Sequence, residues 1–94
     1  MTGVIITGGA MGLGRAVAEE QIRRGRPVGL IDRDLDSLRA TAEEIGAPFA
    51  TADVTRPEEL VAAMNTLAAS LGEVRALVNS AGITKPGPSH TLPV

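Results

Sequence analysis

The segment Thr7-Gly8-Gly9-Ala10-Met11-Gly12-Leu13-Gly14 limits what this chain can fold into more than any other feature. A β-branched run, Val4-Ile5-Ile6, leads into it. Such a consecutive apolar run suits a strand covered on both faces. A helical pattern leads out of it, with Gly14, Val17, Ala18 and Ile22 sharing one face at three- and four-residue steps. Between a strand and a helix, glycines have a specific use. Gly8 and Gly12 carry no Cβ to obstruct a sharp turn or the close approach of a diphosphate. Gly14 lets the helix lie near the strand layer, and the helix N-terminus turns unpaired N–H groups toward an anion.

The same alternation continues along the chain. A first strand is expected over residues 3–7 and a first helix to about residue 24, with Gly25 at its C-terminal cap. A second strand follows over 27–32 (Val28, Leu30, Ile31), and Asp34 is placed to cap a helix with the stripe Leu35, Leu38, Ala42, Ile45, stopped by Gly46. A short third strand is expected over 48–53. Thr55-Arg56-Pro57-Glu58 reads as a capping box with proline in the first turn, opening a helix with Leu60, Met64, Leu67, Ala68 and Leu71. Ala76, Leu77 and Val78 form a fourth strand ending at Asn79, and Pro86, Pro88 and Pro93 make residues 83–94 a loop or linker tail. Strand and helix in strict alternation imply an α/β fold, a parallel sheet with right-handed crossovers and helices on both faces. Residues 1–82 are thus expected to form a three-layer Rossmann-type half-domain with strand order 3-2-1-4.

Composition removes several functions. The 94 residues amount to one domain at most. A formal net charge of −2 argues against a polybasic face for nucleic acid or anionic lipid. Without cysteine there is no disulfide, thiolate metal site or cysteine nucleophile. The single histidine, His90, sits in the Pro/Gly-rich tail without a second ligand and reads as a solvated loop residue. No apolar run approaches the roughly 18 residues of a membrane span, and the N-terminus lacks the pattern of a signal peptide, so a cytoplasmic protein without membrane partners is expected. Arg23, Arg24 and Arg26 suit the C-terminal end of the first helix, and Met64 lies at core spacing.

TGGAMGLG matches the pattern TGxxxGxG, and with it the chain resembles the short-chain dehydrogenase/reductase family. Asp32 at the end of the second strand, Asp53-Val54 after the third, and Asn79-Ser80-Ala81-Gly82 after the fourth, similar to the family's NNAG, extend the likeness to about residue 82. The resemblance implies a nicotinamide dinucleotide as cofactor, with Gly8, Gly12, Leu13 and Gly14 around the pyrophosphate. It implies Asp53 accepting from the adenine amino group and Val54 lining the adenine pocket. Asn79 would tie neighbouring strands together, and Ala81 and Gly82 would leave room for the nicotinamide ribose. Ser80 stands where the family has a second Asn. Asp32 follows Gly14 at roughly the 20-residue spacing of the acid that accepts from the adenosine ribose. A carboxylate there repels a 2′-phosphate: two like charges ~4 Å apart cost roughly 1 kcal/mol in water and roughly 4 at a protein surface. NAD is therefore expected over NADP, although Arg15 and Arg33 would offset part of that repulsion. The plainer alternatives are that Asp32 caps the strand end beside Asp34 and that Asp53 serves a turn before Thr55.

Hydride exchange with an alcohol/ketone pair, the activity the resemblance implies and of the kind a 3-oxoacyl reductase performs, needs a group to handle the substrate proton. In the family this is the Tyr of YxxxK, and this sequence contains no tyrosine. These 94 residues are expected to bind the cofactor and to lack dehydrogenase turnover alone, with no catalytic residue among them. Two alternatives share the glycine turn: a nucleotide sensor module, and an S-adenosylmethionine-binding Rossmann domain, which leaves residues 79–82 unexplained. With the fourth strand as an exposed apolar edge, the expected partners are the remainder of the same protein, from which this chain would be a fragment, or a second copy of the chain.

Overall fold

A computed structural model of the protein describes residues 3–8, 12–79 and 91–93. The elements are β1 (Gly3–Thr7), α1 (Gly12–Arg23), β2 (Val28–Asp32), α2 (Leu35–Ile45), β3 (Phe49–Thr51), α3 (Pro57–Leu71), β4 (Val74–Asn79) and β5 (Thr91–Pro93). The sheet order is β3-β2-β1-β4-β5. β1 to β4 run parallel, and β5 is antiparallel to β4. The expected order 3-2-1-4 is therefore present, with one strand added at its edge.

Alternation along β1 and β2 divides the interior into two layers. Val4 and Ile6 join Val28 and Leu30 beneath Ala18 of α1 and Leu38 and Ala42 of α2. Ile5 and Ile31 point to the other face, against Ala63 and Leu67 of α3. Consecutive strand residues thus enter opposite layers, which is why both inner strands are apolar almost throughout. Gly29 has a specific reason to be glycine: a Cβ there would lie 3.1 Å from Leu71 Cδ1 and 3.2 Å from Leu67 Cδ1. A side chain there would press on both leucines of α3.

Helix ends follow local chemistry. The Asp34 carboxylate accepts from Ser37 N–H at 3.3 Å and opens α2, which ends at Gly46. The Leu35, Leu38, Ala42, Ile45 stripe faces inward from its second member: Leu38 and Ala42 are buried, whereas Leu35 is exposed. The capping box expected at Thr55 does not form. Arg56 occupies the N-cap of α3 without a side-chain cap, while Pro57 takes the first turn as expected. The Thr55 hydroxyl instead donates to Asp53 Oδ1 at 2.6 Å, and Glu59, in the first turn of α3, accepts from Asp53 N–H at 3.0 Å. A nearby carboxylate outcompeted the helix for the threonine.

Two further expectations need correction. The tail, read as loop or linker, contributes Thr91–Pro93 as β5, with Leu77 opposite Leu92 and Ala76 opposite Pro93. β4 is consequently an inner strand between β1 and β5, not an exposed edge. β3 is shorter than expected and releases the chain before Asp53.

Candidate functional site

Parallel pairing brings the carboxyl ends of the strands to one rim of the sheet. Thr7 lies opposite both Ile31 and Asn79, and Asp32 lies opposite Thr51. β2 and β4 flank β1, so the chain leaves β1 at the point where the strand order reverses, where open α/β sheets form a crevice. A cleft of about 230 Å³ opens on this rim, lined by Gly8, Asp32, Arg33, Ala52, Asp53, Val54 and Thr55. Gly8, Asp32, Asp53 and Val54, singled out separately in the sequence, therefore share one cavity.

Each side is held by identifiable bonds. Gly8 has φ 69°, the left-handed region, and its N–H donates to Ile31 O at 2.7 Å, fastening the turn to β2. Gly12 has φ 65° where α1 begins, and among the described residues nothing lies within 4 Å of an added Cβ. That open space at a helix N-terminus fits an anionic group. Leu13 is exposed on the first turn of α1 and Gly14 is buried beneath it. Asp32 Oδ1 accepts from Arg33 N–H at 2.7 Å and from Asp34 N–H at 3.4 Å. Asp34 caps α2, and Asp32 accepts from the turn that follows β2, the plain strand-end role the sequence also allowed.

Asp53 closes the opposite wall. Its Oδ1 accepts from the Thr55 hydroxyl and, at 2.9 Å, from Thr55 N–H, while Arg56 N–H donates to Asp53 O at 2.9 Å. The Thr55 hydroxyl, then its N–H, hold the Asp53 carboxyl below the usual aspartate range, and Arg33 and Arg56 add to the effect. A group whose folded pKa is depressed supports the folded turn at neutral pH and loses that contribution as pH falls through the folded value. A carbon-detected NMR titration of the Asp53 carboxyl is expected to give a midpoint below ~3.9, rising in Thr55→Val. A midpoint at or above that of a free aspartate would contradict the Thr55 bonds.

Asn79 closes β4 rather than the cleft. The buried Thr7 hydroxyl donates to its Oδ1 at 3.0 Å and also approaches Val78 O at 3.3 Å, so Thr7 and Asn79 link β1 to β4. Thr7 was visible in the sequence only as the start of the glycine motif, and burial is what gives it this role. Ala81 and Gly82, with Ser80 and His90, lie outside the described residues. Arg15, one of two arginines placed near a 2′-phosphate by the sequence, is engaged elsewhere: Glu44 accepts from it at 3.0 Å and Glu19 at 3.3 Å, and these partners raise its pKa. Arg33 does line the cleft. Among the described residues no group of three or more His, Cys, Asp or Glu could hold a metal ion, and no helix is long and apolar enough to cross a membrane.

Sheet order and cleft together define a Rossmann-type α/β protein with its cavity at the strand-order reversal. Residues 2–94 match the short chain dehydrogenase family model, and the chain belongs to that family. It is 47% identical over 91 residues to the 2-dehydro-3-deoxy-L-rhamnonate dehydrogenase (NAD(+)) of Sphingomonas sp. (strain SKA58), covering 96% of this chain and 35% of that protein. It is 34% identical to the human 3-oxoacyl-[acyl-carrier-protein] reductase, covering 87% of this chain and 35% of the relative. Among solved structures, the 3-ketoacyl-(acyl-carrier-protein) reductase of Brucella melitensis complexed with NADH superposes with a TM-score of 0.77 at 29% identity, covering 82% of this chain and 32% of that one. The chain spans about a third of the length of the curated relatives it matches.

Proposed function

We propose that this chain forms the dinucleotide-binding part of an oxidoreductase that exchanges hydride between a nicotinamide and an alcohol/ketone pair, with NAD favoured over NADP. The observation that carries the reading is the single cleft uniting Gly8, Asp32, Asp53 and Val54 at the carboxyl ends of β1, β2 and β3. In this reading the pyrophosphate lies against Gly8, Gly12, Leu13 and Gly14, the adenosine ribose hydroxyls donate to Asp32, and adenine lies by Asp53 and Val54. Asn79 keeps β4 against β1, and Ala81 and Gly82 border the nicotinamide ribose. When bound, the nicotinamide supplies hydride chemistry, and these residues bind and orient it. The chain contains no tyrosine, so the YxxxK pair implied by the resemblance is not among these residues, and hydride exchange is assigned to the whole protein. Family membership and the NAD(+) and NADH in two relatives' names favour this reading over an S-adenosylmethionine binder.

The preference for NAD follows from charge. Asp32 opposes a 2′-phosphate, and the Arg15 guanidinium that would attract one is occupied by Glu44 and Glu19. Isothermal titration of NAD and NADP into the protein is expected to show tighter NAD binding. Asp32→Asn should weaken NAD by roughly 10- to 100-fold, the ~1.5–3 kcal/mol of hydrogen bonds to a charged group, and should narrow the gap to NADP. Equal or tighter NADP binding by the unaltered protein would refute the preference, and absence of binding to either would refute the reading.

A further inference from the structure

Asp53, read as the acceptor for adenine, has both backbone groups and one carboxylate oxygen engaged. Its Oδ1 accepts from Thr55 N–H at 2.9 Å and from the Thr55 hydroxyl at 2.6 Å. Its C=O accepts from Arg56 N–H at 2.9 Å, and its N–H donates to Glu59 Oε1 at 3.0 Å. Ala52, the residue before it, donates its N–H to Asp32 O at 3.1 Å, which ties this wall to the other acid of the cleft. Oδ2 of Asp53 accepts no hydrogen bond among the described residues and is left as an acceptor.

Thr55 and Arg56 belong to the same turn as Asp53, so their bonds shape the turn without fixing where it lies. Glu59 stands in the first turn of α3, and its carboxylate spans from the helix to the wall. Its other oxygen lies 3.8 Å from Arg56 Nε, an exposed pair that contributes little by itself. Glu58, its neighbour in that turn, makes no hydrogen bond or ion pair among the described residues. We infer that Glu59 is the positioning residue of the adenine wall: by accepting from Asp53 N–H it holds the Asp53 carboxylate where a 6-aminopurine is accepted and a 6-oxopurine is not. An ionised carboxylate only accepts, so it pairs with the amino group of adenine and opposes the oxygen that hypoxanthine carries at the same carbon. The Thr55 bonds, which lower the Asp53 pKa, keep it in that form. This role presupposes the dinucleotide reading and adds to it a residue that does not itself line the cleft.

The test is calorimetric titration of NAD, AMP, IMP and nicotinamide mononucleotide into the protein and into Glu59→Ala, Glu59→Gln and Glu58→Ala. Thermal unfolding of each variant serves as the folding check. The unaltered protein is expected to bind AMP more tightly than IMP. Glu59→Ala should weaken AMP by roughly 2- to 10-fold, the worth of one hydrogen bond, and leave IMP and nicotinamide mononucleotide unchanged. Glu59→Gln keeps an oxygen that accepts and should keep most of the AMP affinity. Glu58→Ala removes a carboxylate from the same helix start and should alter none of these affinities. Solvent exchange of the Asp53 amide proton, followed by NMR, should quicken in Glu59→Ala alone. Several outcomes would overturn the role and leave the dinucleotide reading intact: equal affinity of the unaltered protein for AMP and IMP, AMP unaffected in Glu59→Ala, AMP and IMP weakened alike in it, Glu59→Gln as weak as Glu59→Ala, or Glu58→Ala matching Glu59→Ala. If the unaltered protein bound none of NAD, AMP and IMP, the dinucleotide reading and this role would fail together.

Discussion

Replacing Leu67 with alanine is expected to lower stability by about 2–5 kcal/mol, the range for large-to-small changes in a packed core. Leu67 is 1% exposed and, among the residues of α3, shares complete burial only with the smaller Ala63. It closes the layer formed with Ile5, Ile31 and Ala52, and it sits where Gly29 leaves the sheet bare. Gly29 has no side chain to fill the space a truncation would open. A domain of this size has a total stability of roughly 5–14 kcal/mol, so the loss is a large share of it. At about 4–8 °C per kcal/mol, the thermal midpoint should fall by roughly 8–40 °C. Val61→Ala on the outer surface of the same helix, where the side chain is 55% exposed, should change stability by no more than about 0.5 kcal/mol. Chemical denaturation of both variants measures the contrast. A Leu67 loss below about 1 kcal/mol would mean that α3 is not what locks this side of the sheet. The effect should reach the cleft too, because Glu59 of α3 holds the Asp53 N–H and Ala52 of the same layer immediately precedes Asp53.

What the sequence disclosed depended on how local the cause was. β1 follows from Val4-Ile5-Ile6 between glycine and threonine, and the observed strand is residues 3–7 as expected. α2 was legible because both of its ends are written in neighbouring residues, Asp34 reaching Ser37 N–H and Gly46 reversing the chain. The rim that gathers Gly8, Asp32, Asp53 and Val54 was legible for a different reason. Once strand and helix alternate, parallel pairing leaves the strand ends no other side to occupy. The failures have more than one cause. Nothing near Thr91-Leu92-Pro93 announces a strand, and its proline argues against one. Its pairing depends on β4, the preceding element, and not on any pattern within residues 91–93. The Thr55 capping box fails for a local reason: the hydroxyl donates to Asp53, two residues earlier, and Arg56 takes the N-cap instead. Arg15 shows the converse: its sequence position suggested a phosphate, but Glu44, on another helix, takes its charge.

The largest effect on binding is expected from Gly8→Val. At φ 69° a side chain costs roughly 1–2 kcal/mol, and a β-branched one is a still poorer fit to that region. The same substitution puts three carbon atoms at a residue that lines the cleft, where the proposed pyrophosphate must approach the backbone. Two consequences are therefore combined, and a second variant separates them. Gly25 has φ 79° in the turn after α1, does not line the cleft, and has nothing within 4 Å of an added Cβ. Gly25→Ala should incur a conformational penalty of about 1 kcal/mol and leave NAD affinity unchanged. Gly8→Ala should show a similar penalty in chemical denaturation, with NAD binding weakened at least roughly 10-fold, which is 1.4 kcal/mol of lost affinity. Gly8→Val should abolish measurable binding while circular dichroism still reports the α/β fold. If both alanine variants lost stability equally and both kept full affinity, the Gly8 backbone would not be the surface the dinucleotide meets, and the ligand would have to enter the rim by the Asp32–Asp53 side alone.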